Sequence, residues 1–115
     1  MPRLLTVSKD KAVLNSRNLL LNRFGYSVIS TMDETEALSL AEAADGIVIG
    51  DTLPMPERKV LVLTLARKYP GKPILALLRV YEDGEIAEAT RTIRNTPDQL
   101  LSALHEIFPD QRSGP

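Results

Sequence analysis

The stretch Ala44 to Pro56, ADGIVIGDTLPMP, limits the possible folds more than any other part of the chain. Ile47-Val48-Ile49 is a short, β-branched apolar run set between Asp45-Gly46 and Gly50-Asp51. A strand without polar alternation is buried on both faces, which calls for a parallel sheet covered by helices on each side. Such sheets gather their chemistry beyond the carboxyl ends of the strands. Gly50-Asp51-Thr52 is therefore the first place to look for a site.

The rest of the chain supplies the helices and the other strands. Arg3 to Val7 reads as a first buried strand. Asp10 suits the cap of a helix from about Lys11 to Phe24, with Val13, Leu20 and Phe24 on one face and Arg17 and Asn18 facing water. Gly25 is placed to end that helix in the left-handed conformation. Tyr26 to Ser30 gives a second strand, and Thr31-Met32-Asp33-Glu34 has capping-box spacing before a helix carrying Ala37, Leu38, Ala41 and Ala44. Gly46 to Gly50 is the third strand.

Pro56 and Glu57 fit the first turn of a third helix and Arg67-Lys68 its last turn. Val60 to Leu65 is apolar almost all round, so that helix is expected to be well buried. After the turn Pro70-Gly71-Lys72-Pro73, Ile74 to Leu78 is a fourth buried strand. Thr90 to Arg94 reads as a polar fifth strand at an edge. Thr96, Pro97 and Gln99 announce a last amphipathic helix carrying Leu100, Leu101, Leu104, Ile107 and Phe108, stopped by Pro109.

Only about ten residues separate strands four and five, and Asp83-Gly84 interrupts them. A helix there is expected to be shortened or missing, leaving a loop with one or two turns; an antiparallel ribbon turning at Asp83-Gly84 is the competing reading. The alternation of elements gives a three-layer, doubly wound α/β sandwich with right-handed crossovers. Residues 1–109 are expected to form this domain, with residues 110–115 a frayed tail.

Composition narrows the function classes. The chain has 115 residues, enough for one domain, with no cysteine, one histidine and a formal net charge of −1. Disulfides, thiol nucleophiles and a multi-histidine metal site are thereby excluded. Near-neutral charge gives no signal for nucleic acid or an anionic membrane. No signal-peptide region or membrane-length apolar run is present, and the expected setting is the cytoplasm.

FGYSVIS, Glu36-Ala37-Leu38, DGIVIGDTLP and KPILAL, in this order, resemble the response-regulator receiver domain (CheY-like) of two-component and phosphorelay signalling. The resemblance covers roughly Pro2 to Phe108 and is weak from Arg79 to Arg94. It implies a flavodoxin-like, five-stranded parallel sheet of order 2-1-3-4-5. It also implies phosphoryl transfer to an aspartate at the end of strand three. In that chemistry an acidic pair holds Mg²⁺, while a hydroxyl residue after strand four and a lysine before a proline grip the phosphoryl oxygens.

Carried over residue by residue, none of those groups is present. Pro54 matches the family's proline and puts Gly50 at the acceptor position, with Asp51 one residue later. The acidic pair falls on Ser8 and Lys9, next to Asp10. The hydroxyl position falls on Leu78 and the lysine on Thr96. The resemblance therefore implies a degenerate or pseudo-receiver, with Ser8, Lys9, Asp10, Gly50, Asp51, Leu78 and Thr96 as its altered phospho-site pocket.

Asp51 is either a displaced acceptor or a residue that starts a turn or pairs with Lys9. Lys9 is either a tethered cation in place of a metal or a solvated loop lysine. Thr52 is read as a turn residue and His105 as a helix-surface residue. Arg79, Arg91 and Arg94 are read as solvated charges that protect an edge, with an anion-binding edge as the alternative.

The expected function is a stand-alone, non-enzymatic signalling module that acts on another signalling protein or on itself, as a possible homodimer. It is expected to have no cofactor, no metal ligand, no nucleic acid and no membrane partner. One alternative is an active phosphorelay receiver using Asp51 and Mg²⁺. The other is a small ligand-binding or enzymatic α/β domain using a cavity over Gly50.

Overall fold

A computed structural model describes residues 2–109; the expected frayed tail, residues 110–115, lies outside them. The strands are β1 (Arg3–Val7), β2 (Ser27–Thr31), β3 (Gly46–Ile49), β4 (Ile74–Leu78) and β5 (Arg91–Arg94). They form one sheet of order β2-β1-β3-β4-β5, and every neighbouring pair is parallel. The helices are α1 (Lys11–Arg23), α2 (Glu34–Leu40), α3 (Met55–Lys68) and α4 (Pro97–Ile107), with a 3-10 turn at Ala41–Ala43 after α2.

The continuous apolar strands are explained by two separate cores. Side chains alternate along a strand, so neighbouring residues face opposite layers. Leu5, Val7, Ile47, Ile49, Ile74 and Ala76 pack with Ala37, Leu61, Val62 and Leu65 of α2 and α3. The intervening Leu4, Val48, Leu75 and Leu77 pack with Leu21, Leu100, Ala103 and Leu104 of α1 and α4. Both faces are thus covered, as a parallel sheet requires.

The helix ends follow local chemistry. Asp10 accepts from the backbone N–H groups of Ala12 and Val13, and Thr96 accepts from Gln99 N–H, so each caps its helix. Gly25 has φ of 92°, the left-handed conformation expected after α1. At α2 the cap is Asp33, which accepts from Thr35 N–H, and not Thr31. Thr31 is the last residue of β2 and its hydroxyl instead donates to Glu36.

Three other expectations about burial are corrected. In α1 the buried stripe is Leu14, Arg17 and Leu21, so Arg17 does not face water. Val13, Leu20 and Phe24 are half-buried along its flank. In α3 the buried side is Arg58, Leu61, Val62 and Leu65, while Val60 is exposed. The apolar run is wider than the face that the sheet covers.

No helix lies between β4 and β5, and no ribbon forms at Asp83-Gly84. The segment is a set of turns, with Glu82 N–H donating to Arg79 O and Ala89 N–H to Ile86 O. Ile86 drops into the α2–α3 core and plugs the space a helix would cover. Its N–H donates to Thr92 Oγ1 on β5. Among the described residues, no helix is long and apolar enough to cross a membrane.

Candidate functional site at the carboxyl end of the sheet

The loops after β1, β3 and β4 and the start of α4 meet beyond the carboxyl ends of the central strands. Parallel pairing aligns β1 with β3, Val7 opposite Ile49, so Ser8 and Gly50 come out side by side. Ser8 Oγ and Thr52 Oγ1 share a hydrogen bond of 2.8 Å, and Lys9 N–H donates to Thr52 Oγ1 at 2.8 Å. Thr52 thereby stitches the β1 loop to the β3 loop. Asp10 spends its carboxylate on the α1 cap.

Gly50 is closely surrounded. A Cβ at this position would lie 2.7 Å from Val7 O and 3.0 Å from Arg17 Nη1. The space directly over the Gly50 Cα, which the ligand-binding alternative would use, is taken by the Val7 carbonyl and the Arg17 guanidinium. Leu78, at the end of β4, is buried, and its carbonyl accepts from Asn95 N–H.

Asp51 is buried and faces Asn95 and Arg17, not Lys9. Asn95 Nδ2 donates to both carboxylate oxygens, at 3.1 and 3.0 Å. Asn95 Oδ1 in turn accepts from Arg17 Nη2 at 3.1 Å, and that same nitrogen lies 3.9 Å from Asp51 Oδ1. Lys9 turns outward to Glu34 at 3.4 Å and to Met32 O. Asp51 opens the turn after β3, and in place of a pair with Lys9 it joins an Arg17–Asn95–Asp51 cluster. Burial lowers the Arg17 guanidinium from its ordinary range, and the charge of Asp51 opposes that shift.

The backbone of the same loop is held by two more arginines. Arg58 is fully buried and donates to Leu53 O, Leu77 O and Asp51 O. It also pairs with Glu82 at 2.7 Å. Arg79 Nε donates to Asp51 O at 2.7 Å. Hydrogen bonding from Arg58 holds the Glu82 carboxyl below its ordinary range, with Arg79 acting in the same direction.

The edge arginines are engaged as well. Arg94 donates to Arg79 O, Glu82 O and Asp83, and Arg91 pairs with Glu106 of α4. Arg91 and its partner Glu106 stay exposed, as expected of edge charges, while Arg94 is half-buried with its guanidinium on the turn after β4. His105 is exposed on α4, and Thr96 serves as its cap.

Arg17, Asn95, Arg58 and Glu82 were not among the expected site residues. Two of them left a signal. Arg17 stands three residues after Leu14 and four before Leu21, and Arg58 stands three before Leu61 and four before Val62. A charged residue inside an apolar helical stripe needs a buried partner. Asn95 and Glu82 sit in loops, where periodicity carries no information.

The Mg²⁺ that the family resemblance implies does not suit this donor set. Ser8 and Lys9 stand where two carboxylates are needed, Gly50 offers no side chain, and both oxygens of Asp51 are already bonded. Magnesium needs several hard oxygen ligands in near-octahedral geometry. Among the described residues, no group of three or more His, Cys, Asp or Glu could hold a metal ion. Between α1 and the start of α4 lies a groove of about 450 Å³, lined by Val13, Arg17, Leu20, Asn95, Pro97 and Leu100 among others.

No protein-family model matches the chain, and no curated protein matches it. Among solved structures it is similar to a response regulator receiver domain protein from Clostridium thermocellum. The TM-score is 0.83 at 16% identity, covering 96% of each chain. A CheY-like receiver domain protein from Methanospirillum hungatei JF-1 matches with TM-score 0.80 at 24% identity, again over 96% of each chain. The signal receiver domain of an HD domain-containing protein from Pseudomonas fluorescens Pf-5 matches with TM-score 0.78 at 22% identity, over 96% of this chain and 88% of that one. The fold is that of the CheY-like receiver.

Proposed function

We propose that this chain is a receiver-like module of two-component or phosphorelay signalling that is not phosphorylated by the magnesium-dependent route and acts through protein–protein contact. The observation that carries this reading is the state of positions 50 and 51. A side chain at 50 would have its Cβ 2.7 Å from Val7 O, so the acceptor place cannot hold a carboxylate without moving backbone. The neighbouring carboxylate of Asp51 is buried, and Asn95 donates to both its oxygens. An oxygen that must attack phosphorus needs a free lone pair and an open line of approach. The Asp51 side chain is buried, and its oxygens face Asn95 and Arg17 instead of an open approach.

Ser8, Lys9, Leu78 and Thr96 support the same reading. Ser8 is bonded to Thr52, Lys9 to Glu34, Leu78 carries no hydroxyl, and Thr96 is a helix cap. With no transferable group, the module's output is binding to another signalling protein or to a second copy of itself, and it performs no catalysis of its own.

The test is incubation with acetyl phosphate and Mg²⁺, read by intact mass. The expected result is an unchanged mass. A stable gain of one phosphoryl group that is lost in Asp51→Asn would instead establish Asp51 as an acceptor.

A further inference from the structure

We infer that Arg17 is a built-in cation that holds the carboxyl end of the sheet in place of a divalent metal ion, and that its guanidinium is what keeps metal out. The inference rests on the receiver-like reading above and names the residue that fills the altered site. Arg17 is only 6% exposed, on the buried stripe of α1. Its Nη2 reaches Asn95 Oδ1 at 3.1 Å and stands 3.9 Å from Asp51 Oδ1. Its Nη1 is buried with no hydrogen-bond partner, and lies 3.0 Å from where a Cβ of residue 50 would stand.

These facts interlock. A guanidinium at 17 and a missing side chain at 50 are two halves of one arrangement, since a carboxylate at 50 would have to share that space. A buried charge is tolerated only when an opposite charge or hydrogen bonds compensate it. Asp51 and Asn95 supply both. The fixed positive charge then does what a bound metal would do for Asp51, and repels a second cation at the same point. Lys9, the cation suggested by the chain alone, is turned toward Glu34 and takes no part.

A tethered cation cannot dissociate. A ligand shifts a conformational equilibrium only through different affinities for the two states. With the cation covalently supplied, this end of the sheet has no metal-dependent equilibrium to shift. The surface it supports is present whatever the concentration of divalent metal.

The test uses Mg²⁺ alone, titrated against amide NMR spectra. Lys9→Asp replaces the cation of the loop after β1 by a carboxylate and is compared with Lys9→Asp combined with Arg17→Met. The single variant is expected to show no Mg²⁺ response at millimolar concentrations. The double variant is expected to bind at least about tenfold more tightly, from removal of one nearby charge. Lys9→Asp with Arg17→Lys keeps the charge and is expected to behave like the single variant.

Equal affinity with and without the charge at position 17, or none in either, overturns the inference. If Arg17→Met does not fold, Arg17→Gln keeps a donor without the charge and takes its place. An independent reading comes from the parent chain, where the Arg17 Nε–H resonance is expected to exchange slowly and not to move with Mg²⁺. Rapid exchange or a Mg²⁺-dependent shift overturns the inference too. Phosphorylation of the parent would sink the functional reading alone; metal binding indifferent to position 17 would sink this one alone.

Discussion

Two residues illustrate how much a single position decides here. Arg58 is fully buried and satisfies three backbone carbonyls besides Glu82. Replacing it by methionine keeps most of the apolar stem but removes its donors to Leu53 O, Leu77 O and Glu82, while Arg79 still donates to Asp51 O and Glu82. Removal of one member of a buried ion pair costs about 3–5 kcal/mol, so Arg58→Met is expected to lose stability on that order in urea unfolding. A loss under about 1 kcal/mol would mean that water replaces the guanidinium. Gly50→Ala is the opposite kind of change, an addition. Its Cβ would press on the Val7 carbonyl, which cannot move without breaking the bond that Gly50 N–H donates to it. Overpacking of this kind costs about 1–3 kcal/mol, and an unchanged melting temperature would contradict the close approach.

Among the elements, α4 and β4 bear on the site most directly. Thr96 caps α4 while the adjacent Asn95 holds Asp51, so the same junction fixes a helix and a side-chain cluster. Loss of a threonine cap costs about 1 kcal/mol. Thr96→Ala is expected to destabilise by that amount and to raise hydrogen exchange in the first turn of α4, with α2 and α3 unaffected. Leu78 ends β4 in a buried position where the family carries a hydroxyl. Leu78→Thr removes apolar contact and buries a hydroxyl, a change on the order of 2–4 kcal/mol. Thermal melts with and without acetyl phosphate and Mg²⁺ should coincide for that variant. Phosphate-dependent stabilisation would show that the pocket still responds.

For the molecule as a whole, the pH dependence of stability follows from Glu82. Its pKa is lowered in the folded state because Arg58, and then Arg79, favour the charged carboxylate. A depressed folded pKa gives stability that is present above the unfolded value of about 4.3 and lost as pH falls through the folded value. Acid unfolding should therefore begin below roughly pH 4, and Glu82→Gln should flatten that limb. An identical acid limb in the variant would assign the effect to other carboxylates. Because Arg58 and Glu82 join α3, β4 and the loop after it, the loss should be cooperative, not local.

The sequence alone determined the element order and the doubly wound class, because these depend on short-range pattern. The strand order came with the family resemblance, and the choice between a shortened helix, turns and a ribbon after β4 was left to the structure. A β-branched apolar run such as Ile47-Val48-Ile49 admits one environment, and Asp10, Gly25 and Thr96 act on backbone groups within a few residues. It also marked Gly50-Asp51 as the place where the strand ends meet. Only the tertiary structure decided which charges are spent on each other. Arg17 and Asp51 are brought together by the packing of α1 over β1 and β2, and Asn95 enters from the end of β5. Arg58 meets Glu82 because β4 runs between them. Lys9 was the cation that the sequence suggested, but the chain leaving β1 points its side chain toward Glu34. Helical phase set the outcome: a shift of one residue in the buried stripe of α1 turned Arg17 from a solvated side chain into the buried cation of the site.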